Sequence, residues 1–174
     1  MRRALIAVCA VAVLAAGYLL LVRDETIAPA LVSAPATAVI GSGSDAVPVG
    51  ADGTIQFWRP PPEDGALPAL PISEPPQKGV LGGTLLEQAR VLGAAPAALR
   101  PHLEASTYGE SGVDVHLRSG IELRFGDAAN AAEKWRAAAT VLADPSITAL
   151  DYVDLHAPSR PAVYGSGHAL PAAP

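Results

Sequence analysis

Apolar and polar residues alternate along Val113-Asp114-Val115-His116-Leu117 and again along Ile121-Glu122-Leu123-Arg124-Phe125. That is the period of strands with one buried face. Arg118-Ser119-Gly120 between them is short and carries the glycine that a tight turn favours, so the two strands are predicted to pair as an antiparallel hairpin. The period then changes. Asp127 occupies an N-cap position, and Ala128, Ala131, Trp135, Ala138 and Leu142 recur at helical spacing, with Asn130, Glu133, Lys134 and Arg136 mostly off that stripe. An amphipathic helix with Trp135 and Leu142 toward the sheet is predicted, ended by Asp144-Pro145. The β-rich run Leu150–Leu155 follows, and Pro158 and Pro161 break it. Sheet, helix and last strand make one α+β unit.

Upstream, Val47-Pro48-Val49 and Thr54–Trp58 flank Gly50-Ala51-Asp52-Gly53, a hairpin signal. Pro60-Pro61-Pro62 ends the second strand. The stretch to Gly83, with Leu67, Leu70 and Ile72 spaced through it, reads as a loop laid over a sheet edge; a proline-rich ligand for another domain is the alternative. Thr84–Leu92 is predicted as a short helix with Gly93 as its C-cap. A turn follows at Pro96, then a strand over Leu103–Tyr108 and a turn over Gly109–Gly112. Beyond Tyr164, Gly165-Ser166-Gly167-His168 and the residues to Pro174 offer nothing to bury, so 165–174 is expected to be a disordered tail.

At the other end Arg2 and Arg3 precede an unbroken apolar segment, Ala4–Val22, followed by Arg23, Asp24 and Glu25. At about 1.5 Å per residue it matches a bilayer's hydrocarbon core. The expected arrangement is a cytoplasmic N-terminus over 1–3, a transmembrane helix over 4–22 and everything else outside. A signal peptide cut near Ala15-Ala16-Gly17 competes with it; continuation through Tyr18-Leu19-Leu20-Leu21-Val22 favours retention. Residues 23–46, dominated by Ala, Pro, Ser, Thr and Gly, read as a tether with room for a short strand at Thr37–Ile40. The folded domain is expected over 47–164. The predicted fold is therefore α+β, an N-terminal transmembrane helix followed by a mostly antiparallel sheet with packed helices.

Composition narrows the chemistry. The net charge of −5 comes with no basic stripe, so nucleic acid is not an expected partner. Cys9 is the single cysteine, which excludes a disulfide within one chain. Aromatics are only 5%, so Phe57, Trp58, Tyr108, Phe125, Trp135 and Tyr152 are each expected to pack. His102, His116, His156 and His168 lack metal-ligand spacing, and no Gly-x-Ser-x-Gly elbow or Ser-x-x-Lys occurs between strand and helix. Asp151 and Asp154 fall on opposite faces of one strand. No catalytic site, cofactor, metal or small-molecule substrate is expected, and the chain does not read as an enzyme.

The segment Gly120-Ile121-Glu122-Leu123-Arg124-Phe125-Gly126-Asp127, the helix with Lys134-Trp135 and Val141-Leu142, then Asp151–Leu155 and Arg160-Pro161-Ala162-Val163 resemble the C-terminal β domain of the bacterial cell-division family FtsQ/DivIB. Asp52-Gly53 and Leu67-Pro68-Ala69-Leu70-Pro71 extend the resemblance upstream. It implies a bitopic, non-catalytic divisome protein at the division septum of the cell (inner) membrane, binding FtsB/DivIC and FtsL partners. It also implies that the strand after the helix, Tyr152-Val153-Asp154-Leu155, and the short edge after it, Arg160–Tyr164, meet the partner. The expected partner-binding residues are Tyr152, Asp154, Arg160, Ala162, Val163 and Tyr164. The residue pattern agrees, since a last strand without a later neighbour leaves an edge open to β-augmentation. Pro161 on that edge reads either as compatible with recruitment or as protection against pairing. One departure is that Arg23–Ala46 is too short for the POTRA domain such proteins place after the anchor. The alternative function is a tethered or secreted envelope ligand-binding module sharing only the β architecture.

Overall fold

The computed structural model describes residues 34–76 and 79–171. The expected cytoplasmic N-terminus, the transmembrane segment 4–22 and the first part of the tether lie outside them. Among the described residues no helix is long and apolar enough to cross a membrane.

The α+β expectation holds. In chain order the elements are β1 (Ala36–Ile40), β2 (Val47–Gly50), α1 (Gly83–Gly93), β3 (Leu103–Gly109), β4 (Gly112–Leu117), β5 (Glu122–Gly126), α2 (Ala131–Leu142), β6 (Ala149–Asp154) and β7 (Ala162–Ala169). The antiparallel pair β1–β2 stands beside a five-stranded sheet of order β3-β4-β5-β6-β7. All of its pairs are antiparallel except β5–β6, which α2 connects as a parallel crossover.

The predicted meander is present: β4 and β5 pair with Val115 opposite Leu123 and His116 opposite Glu122. Their apolar positions, Val113, Val115, Leu117, Leu123 and Phe125, are wholly buried. Trp135 closes the core above them, its ring 4.8 Å from that of Phe125 and its Nε1 donating to Val91 O of α1 at 2.7 Å. One indole thus packs on the sheet and pins the two helices together.

The folded part begins earlier than the composition suggests. Ala38, Ile40 and Val49 are fully buried where β1 pairs with β2, so the second half of the expected tether is core. Leu67–Leu70, expected to lie over a sheet edge, joins β1 to β3. Val39 N donates to Pro68 O at 3.0 Å and Leu70 N to Val39 O at 2.8 Å. On its other side Ala69 N donates to Glu104 O, and Ser106 N to Ala69 O, both at 2.9 Å. The free side of β2 is covered in turn, by Gln56 N bonding Pro48 O at 2.8 Å and Gly50 N bonding Thr54 O at 3.0 Å. The predicted strand Thr54–Trp58 shrinks to bridges at Thr54 and Ile55, after which the chain turns at Gln56–Arg59.

Several local expectations need correction. The second helix starts at Ala131 rather than after Asp127; Asp127 instead accepts Ala129 N at 3.1 Å and the buried Lys134 Nζ at 2.7 Å. Lys134 also donates to Phe125 O at 2.8 Å, so it stitches the end of β5 to the helix instead of facing solvent. Gly93 is the last residue of α1 and not a left-handed cap; a Cβ there would meet Ala51 Cβ at 2.2 Å, so a glycine is needed for close approach. Phe57, Trp58 and Tyr108, expected to pack, are exposed by 54%, 62% and 45%. Finally, the expected tail is ordered strand as far as Ala169.

Candidate functional site

The sheet has one helix-covered face and one open face. Asp114 and His116 of β4, Glu122 and Arg124 of β5, Tyr152 and Asp154 of β6 and Tyr164 of β7 lie on the open face by strand alternation. Arg124 Nε bonds Glu122 Oε1 at 2.5 Å, and its guanidinium lies 3.7 Å from the centroid of the Tyr152 ring. Tyr152 in turn stacks on Tyr164, with centroids 5.3 Å apart and planes at 23°. Cation–π contact and ring stacking therefore run across three strands and end at Tyr164, which is 64% exposed at the last strand.

The backbone of that strand has a defined direction. Leu155 N donates to Arg124 O at 2.9 Å, and Glu122 and Arg124 stand opposite Tyr152 and Asp154. Backbone groups along a strand alternate sides, so Val153 bonds toward β5 while Tyr152 and Asp154 bond toward β7. Their partners Tyr164 and Ala162 accordingly face inward. Val163, opposite Val153, is left with its N–H and C=O pointing away from the sheet. Among the described residues no strand pairs with β7 on that side, and all eight residues of β7 are exposed.

The register between β6 and β7 slips between Leu150 and Tyr152, because Gly165-Ser166-Gly167 bulges around Asp151. Gly167 N donates to Asp151 Oδ1 at 2.8 Å. Gly165 has φ of 84°, and a Cβ there would fall 1.8 Å from the Asp151 carboxylate. The Gly-Ser-Gly run that suggests a tail thus encloses a carboxylate and bends the strand.

Before β7 the chain turns at Ala157–Arg160, with Arg160 N bonded to Ala157 O at 2.9 Å. Arg160 therefore sits at the mouth of the edge and not on it. Pro161 precedes the strand, so its missing N–H takes nothing from the paired length. Tyr152, Asp154, Ala162, Val163 and Tyr164 come together on β6 and β7, five of the six residues expected to meet a partner. Sequence reasoning missed Arg124, whose guanidinium supports Tyr152; the contact depends on the β5–β6 register, which the residue pattern does not report.

At the end of β6 His156 Nδ1 lies 2.8 Å from Asp154 Oδ1, and its Nε2 lies 3.0 Å from Ser111 O in the β3–β4 turn. The Asp154 hydrogen bond is the main cause that raises the His156 pKa. Burial pushes Asp154 up, but the backbone and ring N–H groups of His156 outweigh it and leave the carboxyl lowered. Asp114 is raised by burial and then by Glu122. Among the described residues no three His, Cys, Asp or Glu side chains gather as metal ligands do. The arrangement leaves β7 as an exposed edge with no further strand beside it among the described residues.

No curated protein matches the chain. The family model described as "Cell division protein FtsQ/DivIB, C-terminal" matches residues 38–156, more than half of the 174. The match begins within β1, takes in β2 to β6 and stops before β7. The chain belongs to the FtsQ/DivIB family of cell-division proteins, through its C-terminal domain.

Proposed function

We propose that the chain is a bitopic scaffold of the divisome in the cell membrane. It binds single-span division proteins of the FtsB/DivIC and FtsL type along the outer edge of β7 at the septum, without a catalytic step. The observation that carries this reading is the outward backbone of Val163, flanked by the exposed Tyr164 ring. A partner segment in extended conformation gains main-chain hydrogen bonds there, and the Tyr164–Tyr152–Arg124 stack offers it an aromatic, cationic surface on one face. Coarser support comes from the family, which is one of cell division.

The edge geometry sets the test. In Val163→Pro the lost N–H is one that points outward, so the inward ladder of Ala162 and Tyr164 persists. The whole chain, solubilised from membranes, is expected to capture single-span division proteins. Val163→Pro is expected to lose that capture while keeping its circular dichroism and melting temperature, and Tyr164→Ala to weaken it. Capture by Val163→Pro at wild-type strength would remove β7 as the site.

A further inference from the structure

We infer that Phe57 and Trp58, with Val80 on the segment bridged to Thr54, form a contact surface for the lipid headgroup region of the membrane that holds the chain. This rests on the reading of Ala4–Val22 as a membrane anchor.

Two neighbouring aromatic side chains at 54% and 62% exposure are out of keeping with a chain that holds few aromatics and buries Trp135 and Phe125 completely. They project from the turn closed by Arg59 N on Gln56 O at 3.0 Å. Val80, 55% exposed, is bridged to Thr54, three residues before Phe57. Trp and Phe at a protein corner suit the membrane interface, where an apolar ring meets lipid while an indole N–H stays hydrated.

What commits this patch to lipid is its place on the chain. Gln56 Nε2 donates to Ala34 O at 2.7 Å, so the residue just before Phe57 holds the first residue of the folded domain. Ala34 follows the apolar run Ala4–Val22 by only residues 23–33. Those residues span at most ~40 Å even fully extended, at about 3.6 Å each. The corner carrying Phe57 and Trp58 is thus leashed to the bilayer from beside the aromatic pair itself.

The chain has two tryptophans, one exposed and one in the core, which makes the test clean. The full chain is reconstituted into phosphatidylethanolamine–phosphatidylglycerol vesicles, with and without brominated phosphatidylcholine, and floated on a gradient. Wild type is expected to lose tryptophan emission in brominated vesicles, and Trp58→Leu, which reports Trp135 alone, to lose none. Phe57→Ser with Val80→Ser is expected to reduce the Trp58 loss while still floating. Co-flotation without quenching of Trp58 would overturn the contact and leave the anchor standing. Failure to float would overturn both. A blue shift of Trp58 without bromine quenching would assign the patch to a contact with a second copy of the chain, and overturn the lipid contact.

Discussion

His156 ties the end of β6 to the β3–β4 turn through both ring nitrogens, and only the protonated ring can donate at both. Its folded pKa lies above the 6.5 of the free side chain, chiefly through Asp154. Protonation therefore favours the folded state. The contribution is complete below about pH 6.5 and disappears as pH rises through the raised folded value. With the two side chains 46% and 42% exposed, solvent screening holds it to under about 1 kcal/mol. Denaturant titrations across this range should show stability falling as pH increases, and His156→Gln should flatten that slope. Single residues were also where sequence reading was least secure. Lys134 sits off the apolar stripe, yet it is buried because three oxygens of Phe125 and Asp127 await its ammonium. Nothing in helical spacing reports an acceptor cluster contributed by another element.

Among elements, the strands that alternate strictly were legible, since period two with one buried face leaves little choice of conformation. β4, β5 and β6 lie within a residue or two of their expected bounds. β1 was harder to read because its buried residues, Thr37 to Ile40, are small or consecutive and show no alternation. β7 was hidden by Gly165 and Gly167, which look like linker until Asp151 is placed inside their bulge. Gly93 was read for the wrong reason. A helix-favouring Gly93→Ala replacement should gain propensity but drive a methyl into Ala51. We expect a net destabilisation of about 1–3 kcal/mol by chemical denaturation, as for an overpacked core. Ala51→Gly in the same chain should recover part of it, and strict additivity of the two changes would show that the contact is unimportant.

Across the whole molecule, protection is unevenly distributed. β4 and β5 are flanked by strands on both sides and hold fully buried residues, whereas β7 has one neighbour among the described residues and no buried residue. Native-state hydrogen exchange should therefore be slowest in β4 and β5 and fastest in β7, with the Val163 amide among the fastest. On the proposed reading, addition of a bound partner should slow Val163 more than Ala162 or Tyr164, whose amides already face β6. Equal slowing of all three would point to general stiffening of the domain and not to strand addition. The fold class and the identity of the last strand as an edge were readable from the sequence. Its outward residue was not, because that depends on the bond from Leu155 to Arg124.

The single parallel pair in this sheet also bears on the order of assembly. Hairpins such as β4–β5 and β6–β7 close over a few residues, but β6 reaches β5 only after α2 has crossed between them, so the β6–β7 hairpin joins the sheet through that one crossover. Long-range closure is the slow part of building a sheet. Docking of that hairpin on β5 is consequently the step expected to come late in folding, and it is the step that extends the sheet from β5 out to the edge at β7.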